Sequence, residues 1–281
     1  MTLLAPVSIV TRRPLVRLRA VEFIAALVLL FLLVAAVVPQ LLTWHDPLAI
    51  SPAEAFQAPS GAHWFGTDES GRDVYTRVIY GARSSLLIGA LATIIGLTLA
   101  LILGAAAGLG AKPVDFAVSR FLEVLFAFPG LLLALLFITI FGVGVVTSTI
   151  AVGLATAPGY ARIIRTQIIS IKNSGYIEAA TILGRSRGVT FRRNILPNVA
   201  WPLLALATLG IGQAIVWASA LSFLGLGAVP PAAEWGAMLS AGRTYISNAG
   251  WLTFFPGLFV VLSAASATVL GQSIQRRNRE L

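Results

Sequence analysis

Groups able to do covalent or metal chemistry are scarce in this chain. It has no cysteine, which excludes disulfides, thiolate metal sites and cysteine nucleophiles. Its two histidines, His45 and His63, fall in one segment without a His-Glu-x-x-His arrangement, so no metal cage is expected. No Gly-Lys dipeptide exists to build a phosphate loop. Gly108-Leu109-Gly110 and Gly225-Leu226-Gly227 lack the Gly-x-Gly-x-x-Gly spacing. The remaining chemistry is that of docking and bracing.

The docking residues run from Tyr176-Ile177-Glu178-Ala179-Ala180 through Gly184 and a basic stretch, Arg185 to Arg193, to Asn194-Ile195-Leu196-Pro197-Asn198. Residues 176–183 are good helix formers, and Tyr176, Ala180 and Leu183 at i, i+4 and i+7 predict one apolar face. A helix this short is not stable alone in water and needs a partner surface. Ala179 and Ala180 permit close approach, Glu178 supplies a charge, and Gly184 can adopt the left-handed conformation that ends a helix. A second set, Asp68, Arg72 and Asp73, forms a dense charged cluster that reads either as a salt-bridged brace or as a contact for a substrate or partner.

The elements that must position these residues follow from composition. The 281 residues are 57% hydrophobic and only 11% charged, with a mean hydropathy of +0.88, far from the roughly 25% charged residues of a soluble domain. Uncharged runs at 23–45, 84–111, 124–161, 194–233 and 244–275 exceed what a buried helix needs and suit membrane spans of about 20 residues. The run 124–161 is too long for one crossing and breaks at Phe141-Gly142-Val143-Gly144. Six helices are therefore expected, at about 22–42, 84–110, 117–141, 145–169, 199–222 and 251–273. Continuous apolar runs without period-2 alternation favour helices over barrel strands. Arg12, Arg13, Arg17 and Arg19 ahead of the first run also fit a signal peptide, but the run is longer than the usual h-region and no small-x-small site follows it within Pro39 to Pro47.

Placing the N-terminus inside puts 16 of the 20 basic and five of the 11 acidic residues on that side, a balance of +11 against −2 outside. The positive-inside rule then sets both termini in the cytoplasm. The net charge of +9 thus belongs to topology, and no nucleic-acid partner is expected. The predicted span centres carry no ionisable residue, which argues against a proton-driven carrier. Phe128-Pro129-Gly130 and Ala157-Pro158-Gly159 can kink helices along a path or serve packing alone.

Glu-Ala-Ala-x-x-x-Gly at 178–184, followed by the proline of Ile195-Leu196-Pro197, resembles the coupling segment of ATP-binding-cassette (ABC) importer permeases. Further blocks resemble, more narrowly, the second permease of the dipeptide, oligopeptide and nickel importer group. They are Phe65-Gly66-Thr67-Asp68-Glu69-Ser70-Gly71-Arg72-Asp73, Tyr80-Gly81-Ala82-Arg83-Ser84-Ser85-Leu86, Pro158-Gly159-Tyr160-Ala161-Arg162 and Ala220-Leu221-Ser222-Phe223-Leu224-Gly225-Leu226-Gly227. Asn194 departs from the histidine common in that group, and 43–64 shows no placeable motif.

The resemblance implies an all-α, polytopic type I ABC importer permease fold. Its parts would be a cytoplasmic segment 1–21, a first helix at 22–42, an extracytoplasmic loop 43–83, a permease domain 84–275 with a coupling loop at about 170–198, and a tail 276–281. It implies a bacterial inner-membrane location and a homologous permease as partner. Two ATPase subunits would hold ATP and Mg, and an extracytoplasmic solute-binding protein would deliver substrate; this chain itself would bind no cofactor and catalyse nothing. Glu178, Ala179, Ala180 and Gly184 would dock the ATPase. Arg185, Arg187, Arg192 and Arg193 would either support that contact or hold orientation against anionic lipid. Gly66, Thr67, Asp68, Gly71, Arg72 and Asp73 would form an ordered outer motif. Dipeptides or oligopeptides are the expected cargo, with nickel chelates or haem-like ligands as the alternative; a self-sufficient carrier is the competing class.

Overall fold

The computed structural model describes residues 15–280, so expectations for 1–14 and 281 lie outside it. The elements are α1 (Leu15–Val37), α2 (Val74–Leu109), α3 (Lys112–Phe126), α4 (Gly130–Phe141), α5 (Val145–Lys172), α6 (Gly175–Ile182), α7 (Arg187–Thr190), α8 (Leu196–Phe223), α9 (Trp235–Gly242) and α10 (Trp251–Glu280). Short 3-10 turns and one π turn link them, and no strand forms among the described residues. The all-α expectation holds.

Among the described residues, four stretches are long and apolar enough to cross a membrane: Ala20–Val37, Val74–Leu109, Gly188–Phe223 and Trp251–Arg276. The expected span 117–141 is not one straight helix. It is α3 and α4, bent by 92° at Ala127-Phe128-Pro129, and makes a fifth crossing only as a pair. Pro129 caps α4 from an extended conformation, ψ 130°, so the helix must restart there. The sixth expected span, α5, has 28 residues but is less apolar than the four. Its Thr149, Thr156 and Pro158 are buried against neighbouring helices, so much of it need not meet lipid.

Helix α2 begins at Val74 instead of 84, shortening the expected outer loop 43–83. The reason is electrostatic. Arg77 and Arg83 ended the uncharged run, yet both are satisfied inside the fold: Arg77 by Asp68 at 3.5 Å, Arg83 by the carbonyls of Ala36 and Val37 at 2.7 and 2.9 Å. The latter are C-terminal carbonyls of α1, where a cation is favoured. At the other end, α5 and α8 extend to Lys172 and back to Leu196, which trims the expected loop 170–198.

Three apolar clusters stack along α2. The outer one joins Val74, Val78 and Ala82 to Leu32, Trp235 and Phe259. The middle joins Ile88 and Ala92 to Leu133, Val152 and Leu221. The inner joins Ala100 to Leu122, Ile164, Ile168, Ile177, Ile195 and Val199. Through the middle and inner levels α2 runs parallel to α5 at close range. A Cβ on Gly96 would stand 2.6 Å from Thr156 Oγ1, and one on Gly153 would stand 2.8 Å from the Ala92 carbonyl. Glycine is thus required for the two backbones to approach.

Candidate functional site

At the outer end, residues 39–73 fold onto the start of α2. The Asp68 carboxylate accepts from Arg72 Nε at 2.7 Å and from the backbone N–H groups of Ser70 and Arg72 at 2.9 and 3.0 Å, with Arg77 Nε at 3.5 Å. Arg72 also donates to Glu69 at 2.7 Å. Asp73 caps α2 by accepting from the Thr76 N–H at 2.7 Å, and its other oxygen lies 2.9 Å from His63 Nδ1. Arg77 donates to the carbonyls of Pro47 and Pro231 at 3.2 and 3.3 Å, tying the segment to the far side of the chain. Thr67 is buried; its hydroxyl donates to the Glu54 carbonyl and accepts from the Gln57 N–H, and Trp251 Nε1 donates to its carbonyl at 3.1 Å. Gly66 and Gly71 hold φ of +75° and +74°. Asp68, Arg72 and Asp73 are all below 8% exposed. The geometry is that of a brace, with its charges consumed inside the chain.

Within the bundle, the 92° bend opens a groove of about 550 Å³ between α3–α4, α5 and α8. Both Pro-Gly motifs line it, Phe128-Pro129-Gly130 from one wall and Pro158-Gly159 from the other. Gly130 is compulsory, because a Cβ there would stand 2.1 Å from the Trp217 ring. The polar lining comes from α5 and α8: Tyr160 Oη donates to Gln213 Oε1 at 3.2 Å, and Arg162 stands with Cζ 4.7 Å from the centre of the Phe126 ring. Tyr160, Arg162, Gln213 and Trp217 were not among the residues expected to line a path. Arg162 on a predicted span was the available signal, and its assignment to orientation hid it.

At the inner end, α6 occupies nearly the expected residues, but its buried face differs. Ile177 and Ala180 are buried, with Ile177 in the cluster of Leu122, Ile164, Ile168, Ile195 and Val199; Tyr176 and Leu183 are exposed, Leu183 by 77%. The i+3 pair 177 and 180 therefore faces the bundle. This corrects the expected face and removes Ala180 from the surface a partner could reach. Glu178 and Ala179 are exposed, as is Ile182 by 79%. Gly184 ends the helix at φ +74°, and the Arg185 N–H reaches back to the Ala180 carbonyl at 3.1 Å. Arg185, Arg192 and Arg193 are exposed, the last two on the π turn Phe191–Ile195 that leads into α8; the side chain of Arg187 lies outside those described. No group of acids and histidines among the described residues could hold a metal.

Residues 96–280 match the family described as binding-protein-dependent transport system inner membrane component. The chain is 40% identical over 249 residues to the dipeptide transport system permease protein DppC of Bacillus subtilis, covering 88% of this chain and 78% of that one. It is 39% identical to DppC of Alkalihalophilus pseudofirmus, covering 87% and 80% respectively. Among solved structures it resembles the inward-facing MetNI methionine ABC transporter, with a TM-score of 0.56 at 19% identity, covering 72% of this chain and 95% of that one. The fold is that of a type I ABC importer permease.

Proposed function

From the premise that the chain belongs to the binding-protein-dependent inner-membrane transport family, we propose that it is one permease subunit of an ATP-driven importer of dipeptides or oligopeptides. The peptide relatives support that substrate class. It would pair with a homologous permease in a bacterial inner membrane with both termini cytoplasmic. ATP hydrolysis would reside in two partner subunits, and a solute-binding protein would deliver cargo to the outer brace.

One observation carries the reading. Helix α6 and the turn after it present Glu178, Ala179, Ile182 and Leu183 outward while Ile177 anchors the helix to α3, α5 and the start of α8. Those three elements belong to the walls of the groove. An ATPase engaging the outward face would therefore push on the groove through a single side-chain cluster. ATP shifts such an equilibrium only by its differential affinity for the two arrangements, so the coupling works if ATPase closure favours one packing of these helices. The groove is then this chain's wall of the translocation path. Glu178→Arg in the assembled complex should abolish ATPase association or uptake; unchanged association together with unchanged uptake overturns the docking role.

A further inference from the structure

Arg162 is the only charged side chain among the described residues that line the groove. It stands ten positions before the end of α5, Lys172, about 15 Å along the helix axis, within the stretch 145–169 expected to span and near its inner end. A charge within such a stretch is costly and marks a functional position. One turn below, Arg165 is fully provided for: its Nε and Nη2 donate to the two oxygens of Asp115 at 2.6 and 2.8 Å. The other acid of α3, Glu123, pairs with Arg120 at 2.7 Å. Arg162 has no carboxylate partner among the described residues and rests on the face of Phe126. The chain has thus neutralised one of two neighbouring arginines and kept the other available.

Deepening the permease reading on which it rests, we propose that Arg162, Tyr160 and Gln213 form a transit site for the free carboxylate of a peptide passing through the groove. The guanidinium offers the paired donors a carboxylate takes best. Gln213 already accepts from Tyr160, which leaves its NH₂ to donate to the same anion. Trp217 and Phe126 give apolar wall beside the charge, and about 550 Å³ lies within the roughly 300–1,000 Å³ of small-molecule sites. An exposed arginine held by a ring contact suits transit, where binding must be strong enough to admit and weak enough to release. The resting cation–π contact is the competitor that takes the guanidinium back once the peptide leaves.

The absence of native cysteine makes a direct test possible. The complete complex, with partner permease, ATPases and Ala-Ala-loaded binding protein, is reconstituted in vesicles carrying wild type, Arg162→Cys or Arg162→Lys; uptake and binding-protein-stimulated ATP hydrolysis are read together. Ala-Ala has one carboxylate, its terminus. Uptake per ATP hydrolysed should fall about tenfold in Arg162→Cys and by less in Arg162→Lys, which keeps the charge but loses the paired donors. Aminoethyl methanethiosulfonate, which rebuilds a cation on the cysteine, should raise uptake to the Arg162→Lys level, and the sulfonatoethyl reagent should not; wild-type complex treated alike controls for partner cysteines. Undiminished uptake by Arg162→Cys overturns the proposal, as does equal recovery with both reagents. Loss of permease pairing in Arg162→Cys overturns it too, assigning the arginine to the partner subunit. Failure of the wild-type complex to take up peptide while hydrolysing ATP overturns the peptide reading, and the transit site with it, and is distinguishable because it precedes any substitution.

Discussion

The outer brace and the inner docking loop carry similar residue types to opposite ends. In the brace, Asp68, Arg72, Asp73 and Arg77 are buried and every charge is met by a charge, a backbone N–H or a carbonyl from the same chain. In the loop, Glu178, Arg185, Arg192 and Arg193 are exposed, and the most exposed apolar side chains, Ile182 and Leu183, point away from the bundle. Ion pairs taken out of water persist only when geometry and extra hydrogen bonds offset desolvation. The first region is thus finished by folding, and the second keeps its surface for another molecule.

The sharpest way to break this comparison is Asp68→Ala, which removes the buried carboxylate between Arg72 and Arg77 and leaves them only Glu69 and backbone carbonyls. A loss of about 3–5 kcal/mol is expected, read as a large fall in detergent-solubilised thermal midpoint. A smaller test uses two glycines with the same φ of +74°. A Cβ on Gly71 would stand 1.8 Å from the Ser51 carbonyl oxygen, whereas Gly184 has nothing within 4 Å. Gly71→Ala should cost about 2–4 kcal/mol, against about 1–2 kcal/mol for Gly184→Ala. Equal midpoints for the two variants would remove the distinction. Smallest in stability is Leu183→Ser, expected within about 0.5 kcal/mol of wild type while co-purification of the ATPases falls. A stable variant that retains full ATPase association would show that this exposed apolar residue serves no docking.

Much of the architecture is legible in the sequence because a bilayer leaves few choices: long uncharged runs must become helices. The Gly184 stop and the extent of α6 are likewise readable, since glycine and helix-forming residues act locally. The departures share one cause, tertiary satisfaction. Arg77 and Arg83 belong to a helix because distant groups accept their hydrogen bonds, which no local pattern announces. The kink at Phe128-Pro129-Gly130 is readable from its proline, but its size of 92° is not, because the run around it is apolar and uninterrupted by charge. The choice between the 176/180/183 and 177/180 faces of α6 depends on a cluster drawn from α3, α5 and α8.

The parallel seam between α2 and α5 also sets how motion can travel. With backbones this close at Gly96 and Gly153, the two helices are expected to tilt together. At 36 residues, α2 is about 54 Å long, so a tilt of about 5° imposed at the inner end displaces the other end by about 5 Å. That end is clamped to the brace through Arg77 and Asp73. Small angular work near the docking helix is thereby geared into ångström-scale travel at the mouth, with the α3–α4 bend left as the joint that absorbs the difference.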